Sequence, residues 1–178
     1  MTIAIEVSVD IRAAQAALAK VNSGFVNRAY LKLIGERFLA WINENFRKAG
    51  AEQSWKPLSP NTVAARRKGK GAGSAQPLRD TGRMAQSFVA RIGADQVWVG
   101  TEDRKAVFHQ FGTRSYVIRP KQAKALRFAT AGKGVIYRRV VRHPGIQARP
   151  LLPSPQLAER LAQEVLRAYV DELARSAG

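Results

Sequence analysis

Leu78-Arg79-Asp80-Thr81-Gly82-Arg83-Met84-Ala85-Gln86-Ser87 opens a stretch that continues through Val99-Gly100-Thr101 to His109-Gln110-Phe111-Gly112-Thr113. Asp80 or Thr81 is expected to cap a short helix, because either side-chain oxygen can accept the free N–H groups of a first turn. The helix gives way to Phe88-Val89-Ala90-Arg91-Ile92, in which Phe88, Ala90 and Ile92 share one face of a strand. Gly93-Ala94-Asp95 reads as a turn, and Gln96-Val97-Trp98-Val99-Gly100 as the returning strand of a hairpin. A further turn of helix, Lys105 to Phe111, is stopped by Gly112.

Upstream of this unit, Ile3, Ile5, Val7 and Val9 alternate with polar or small residues, the pattern of a half-buried strand. Asp10 is placed to cap an Ala-rich helix through about Val21, broken at Asn22-Ser23-Gly24. From about Phe25 to Lys48, Tyr30, Leu31, Ile34, Phe38, Trp41, Ile42 and Phe46 recur at three- and four-residue steps, so a long amphipathic helix is expected, with this aromatic stripe as core. Gly50 ends it. Trp55-Lys56-Pro57-Leu58 is extended, since Pro57 pushes Lys56 away from helical geometry. Ser59 then caps a helix that has Pro60 at its first position and runs to about Lys68.

Downstream, Ser115–Pro120 and Ala125–Ala129 read as extended segments around a basic turn, Lys121-Gln122-Ala123-Lys124. Val135 to Val141 is the strongest late strand, with Ala125–Thr130 as its hairpin partner. Arg142 to Pro155 is an irregular arm marked by Pro144, Pro150, Pro153 and Pro155. The last helix starts at Pro155 behind Ser154 and runs to about Arg175, with Leu157, Leu161, Val165, Leu166, Tyr169, Val170 and Leu173 on one stripe. The expected architecture is a single α+β domain over residues 1–178. In it one small antiparallel sheet, built from both hairpins and the first strand, packs on the long helix and the C-terminal helix. The loops at about 69–77 and 114–124 are expected to be its most mobile parts.

Of 178 residues, 30 are Lys or Arg and 13 are Asp or Glu, a formal charge of +17. From Arg104 to Ala158 there is no acid at all. So lopsided a charge favours a polyanionic neighbour, either nucleic acid or an acidic protein surface. Arg66, Arg67, Lys68 and Lys70, with Arg119, Lys121 and Lys124, are the candidate contacts. The first four border Gly69-Lys70-Gly71-Ala72-Gly73, which is either a solvated loop or one that touches phosphates by charge alone. It is not a phosphate-binding P-loop, because no strand precedes it and no Gly-Lys-Ser/Thr helix start follows. The absence of Cys rules out disulfides and thiolate chemistry. No apolar run is long enough for a bilayer, and no signal-peptide build opens the chain.

Catalysis needs proton-trading or metal-holding groups that converge. His109 and His143 lie in different segments, without a carboxylate in ligand spacing. No Gly-x-Ser-x-Gly elbow occurs, and Asp80, Asp95, Glu102 and Asp103 have simpler uses as caps and turns. Neither an enzyme nor a cofactor nor a metal is expected. His109 reads as a packing or capping residue, and Trp98 and Tyr137, on strands, as core.

Four pieces of the chain carry a resemblance. They are Trp55-Lys56-Pro57-Leu58-Ser59-Pro60 with Thr62 and Arg66; Leu78-Arg79-Asp80-Thr81-Gly82-Arg83; Val99-Gly100-Thr101 with His109-Gln110-Phe111-Gly112-Thr113; and Ala148-Arg149-Pro150-Leu151-Leu152-Pro153. In this order they resemble the bacteriophage virion morphogenesis and tail completion family. The resemblance implies a structural virion protein, a homo-oligomeric ring, with a hexamer favoured by analogy with tail symmetry. Such a ring finishes the head-proximal end of a tail or sits in the neck. The implied partners are further copies of the chain, the tail tube, the head–tail connector and passing double-stranded DNA. Assembly is expected in the host cytoplasm, with no membrane involved. The matched residues, among them Trp55, Pro57, Leu58, Asp80, Thr81, Gly82, Gly100, His109, Phe111 and Gly112, are turn, cap and packing types that speak for fold. Arg149-Pro150-Leu151-Leu152 is expected either to pack on a neighbouring subunit or to dock on the protein's own sheet. A free nucleic-acid-binding protein is the competing reading; it lacks the aromatic–glycine pattern of an RNA-binding sheet and any helix-turn-helix or zinc finger.

Overall fold

The computed structural model describes residues 5–10, 28–68, 74–130 and 134–176. Helix α1 spans Arg28–Lys48 and buries the expected stripe: Tyr30, Leu31, Ile34, Phe38, Trp41, Ile42 and Phe46. Each such side chain contributes roughly 1.5–3 kcal/mol over its exposed state, gross of chain entropy. Against this stripe lies a three-stranded antiparallel sheet of order β1–β3–β2, made of β1 (Ile5–Asp10), β2 (Phe88–Ile92) and β3 (Gln96–Thr101). The β2–β3 hairpin pairs Phe88 with Thr101 and Ile92 with Val97, and β1 pairs with the other edge of β3, Val7 opposite Val99. Val97, Val99 and Thr101 are the buried face of β3, while Phe88, Ala90 and Ile92 turn inward from β2. Gly35 makes the close helix–sheet approach possible. A Cβ there would stand 2.9 Å from the Ala90 Cβ, so this mid-helix glycine, ordinarily worth about 1 kcal/mol against Ala, has a packing reason.

Helix α2 (Pro60–Lys68) begins as expected: Ser59 Oγ accepts the Thr62 N–H at 3.2 Å. Helix α3 (Arg83–Gln86) is a single turn, and the expectation of an Asp80 or Thr81 cap fails. Gly82 occupies the cap position in the left-handed region at φ 76°, with no side-chain capping bond, and the Asp80 carboxylate turns instead to Arg66, 3.9 Å from its Nε. Helix α4 (Lys105–Phe111) follows β3 and stops at Gly112.

The later strands depart from the expected single sheet. Strand β4 (Tyr116–Ile118) pairs with β7 (Val141–His143), and β5 (Leu126–Thr130) with β6 (Gly134–Arg138), as two separate antiparallel ribbons. The strand expected to run unbroken to Val141 ends at Arg138 because its partner β5 begins opposite, at Leu126. Beyond that pair the chain turns out through Arg139 and Val140 and finds β4. Tyr137, expected in the core, is 60% exposed, since the outer face of β5–β6 has no layer over it among the described residues. Trp98 is half-buried, its ring lying over Gly93. The C-terminal helix α5 (Pro155–Ser176) packs along α1 with Ala158 and Leu161 buried. The Tyr30 and Tyr169 rings lie 5.5 Å apart there, and Arg37 bonds Glu164 at 3.0 Å. The class is α+β, as expected. The helix expected to follow Asp10 through about Val21 and most of the 69–77 loop lie outside the described residues, while Asp10 itself ends β1.

Candidate functional site

The residues that carry the family resemblance converge on the arm between β7 and α5. Thr113, just past α4, makes an isolated bridge with Ile146, whose N–H is accepted both by the Thr113 carbonyl and by its Oγ1 at 2.9 Å. Gly112 is required at this crossing. Its φ is 72°, and a Cβ would lie 2.6 Å from the Ile146 carbonyl oxygen. The Arg149 N–H next donates to the His109 carbonyl at 2.6 Å, and its guanidinium reaches the Lys56 carbonyl at 3.1 Å. Gln110 Oε1 accepts both the Leu151 and Leu152 N–H groups, at 2.7 and 3.1 Å. From the opposite side, Asn45 Nδ2 donates to the Pro150 and Leu151 carbonyls at 2.9 and 3.3 Å, while its Oδ1 accepts the Ala51 N–H at 2.7 Å. Leu151 and Leu152 enter the core as a result. The Glu52 carboxylate holds Ser154 through both its N–H and its hydroxyl. Ser154 Oγ in turn caps α5 through the Leu157 N–H.

Arg149-Pro150-Leu151-Leu152 is thus seated on α1 and α4 of its own chain. Trp55 is buried edge-on to Phe46, Leu58 is half-buried and Pro57 exposed. Gly100 sits in mid-β3 between Glu6 and Val89. Thr81 is exposed. His109 is half-buried. Burial first, then the Arg149 and Lys105 charges, hold its imidazole below the ordinary value, against an opposing pull from Asp103. Burial, and secondarily the Arg66 guanidinium, likewise disfavour the charged form of Arg149. Beside the arm is a cleft of about 370 Å³ lined by Trp41, Asn45, Glu52, Gln110 and Leu152 among others. Its one ionisable lining group, Glu52, is the one engaged by Ser154. Among the described residues no group of three or more His, Cys, Asp or Glu is arranged to hold a metal. No helix among them is long and apolar enough to cross a membrane.

Two exposed surfaces lie near the arm in sequence or carry the candidate cations. Helix α4 spends one side on the arm, with Ala106 buried and His109 and Gln110 half-buried, and presents Phe108 and Phe111 on the other, 51% and 71% exposed. Tyr116, stacked on His143 at 4.7 Å, and Val117 are exposed close by in sequence. The second surface is basic. Arg119, Lys121 and Lys124 are exposed as candidates, whereas Arg66 is turned inward: it donates to the Ser74 and Gln76 carbonyls at 3.1 and 2.8 Å and faces Asp80. Arg67 and Lys68 lie in the last turn of α2, and Lys70 outside the described residues. The sequence reading did not single out Asn45, Gln110 or Phe108. The available signal for Asn45 was a polar residue inside an otherwise apolar helical stripe.

The model of the phage virion morphogenesis family matches residues 9–171. No curated protein and no solved structure gives a significant match. Covering nearly the whole chain, and with the arm, α4 and Trp55 segments locked together as one body, the match shows that this protein belongs to the phage virion morphogenesis family.

Proposed function

We propose that the protein is a non-catalytic structural subunit that forms a homo-oligomeric ring, a hexamer, completing the head-proximal end of a phage tail and supporting head–tail joining. Its neighbours in the virion are then further copies of the chain, the tail tube, the connector and the passing genome. The observation that carries this reading is the pair Phe108 and Phe111, one helical turn apart and pointing away from the body on a helix whose other side is pinned to the arm. Large exposed aromatics on a rigid support are what a protein–protein contact uses as anchors. The buried arm supports the reading in a second way, because its apolar residues are already used within the subunit and leave α4 as the outward apolar face.

Light scattering after size exclusion, in low and in 1 M salt, tests this. A discrete ring mass that survives high salt is expected, since apolar contacts are not screened. A chain that stays monomeric both alone and when mixed with isolated tails would refute it.

A further inference from the structure

We propose that the β5–β6 ribbon is a sequence-independent binding surface for the phosphate backbone of duplex DNA, with Arg127 and Tyr137 on its open face and the exposed Arg139 just beyond β6 as its contacts. Register puts Arg127 directly opposite Tyr137, and Val135 lies two residues along β6 from Tyr137, so the three share one face. That face is open: Arg127 is exposed, Val135 is 42% and Tyr137 60% exposed. The other face, with Leu126, Phe128 and Ile136, is half-buried, and β5 runs beside α2.

The ribbon lies in a stretch of the chain that has cations and no acids. Among the described residues, ion pairs join Lys32 to Glu36, Arg37 to Glu164, Arg47 and Lys48 to Glu44, Arg66 to Asp80, Arg91 to Glu102 and Arg175 to Glu172. None uses a cation from the acid-free stretch 104–158, where Arg119, Lys121, Lys124, Arg127, Arg138, Arg139 and Arg142 are all exposed. Their charge is left for something outside the chain. The uniform sign favours DNA over an acidic protein face, which would present both signs and apolar anchors. Length agrees: five strand residues run about 17 Å, over which a duplex carries roughly ten phosphate charges. Arginine and tyrosine are both phosphate-contacting side chains, and such contacts carry no base sequence.

The inference draws on the tail-end reading only for the presence of duplex DNA, and the two fail separately. Affinity for a random duplex is measured against salt for the wild type, for R127A/R139A, and for a control, K32A/R175A, that removes as many paired cations elsewhere. The wild type should bind with a steep salt slope. The ribbon variant should lose about 2 from the slope of log K against log salt, at about 0.9 per phosphate contact, and the control should keep it. Binding should also protect the ribbon arginines of the wild type from phenylglyoxal, a check that needs no variant. The proposal is overturned if the wild type does not hold duplex in low salt, if the ribbon variant keeps the full slope, or if bound duplex leaves the ribbon arginines open to phenylglyoxal. Native mass recorded on the same samples tests the ring independently: a monomer that binds DNA through the ribbon refutes the ring alone.

Discussion

Asn45 is the residue whose loss most directly tests how the arm is held. It is 2% exposed, and its amide makes three hydrogen bonds: to the Pro150 carbonyl, the Leu151 carbonyl and the Ala51 N–H. In Asn45→Ala the buried Leu151 carbonyl is left without that donor, at about 1–3 kcal/mol, and the two part-buried groups lose about 0.5–1.5 kcal/mol each where water replaces the amide. The total is roughly 4 kcal/mol, which in a chain of this size lowers Tm by roughly 8–16 °C. Circular dichroism melts measure it, and limited trypsin digestion locates it at Arg142, which precedes the released segment in the arm, the Arg149–Pro150 bond not being a trypsin site. Cleavage there should accelerate well below Tm. Asn45 and Gln110 both grip Leu151, from opposite sides, so the double Asn45→Ala/Gln110→Ala variant should cost less than the two singles added. A Tm within 2 °C of wild type with unchanged arm cleavage would refute the reasoning.

Phe111→Ser should abolish or weaken the oligomer while moving Tm by no more than about 0.5 kcal/mol equivalent, because the ring it removes is 71% exposed in the subunit; an unchanged native mass would refute it. His109 gives a pH signature. Its folded-state pKa is lowered below 6.5, chiefly by burial, so the unfolded chain takes up the proton first as pH falls. Stability is therefore full above pH 6.5 and is lost as pH drops through that value toward the lowered one. In His109→Gln this loss is absent, so the Tm difference between variant and wild type should shift in the variant's favour from pH 8 to pH 5. A difference that stays flat over that range would show that His109 is not buried as described.

The sequence reading succeeded where a local signal and a tertiary role coincide. The α1 stripe, the Ser59 cap, the helix start at Pro155, the β2–β3 hairpin and the Gly112 stop are written in spacing or in one residue's conformational freedom, and each appears in the structure. It failed where a residue's role is set by a distant partner. Asp80 and Thr81 have the right side chains for capping, yet Gly82 takes the position and Arg66, remote in sequence, draws the carboxylate. Val135 to Val141 looks continuous because all of it favours extended backbone, but hydrogen-bonding partners decide where a strand ends, and those change after Arg138. Asn45 is illegible for the same reason: its three partners lie 6 to 106 residues away.

Helix α4 ties these features together. It is seven residues long, too short to be stable alone. Its persistence depends on Ala106 in the core and on Gln110 holding the Leu151 and Leu152 amides. Gln110 and Phe111 are consecutive, so the residue that grips the arm adjoins the one that faces outward. An aromatic anchor is useful in a contact only if its orientation is set beforehand, since ordering it on binding costs about 0.5–1.5 kcal/mol per side chain. Docking the arm supplies that order inside the subunit. The conservatively shaped interior around Asn45 and the open aromatic face of α4 are in this sense one device, and the cationic ribbon lies outside it. Damage to the arm should therefore reach assembly through α4, whereas damage to the ribbon should leave assembly untouched.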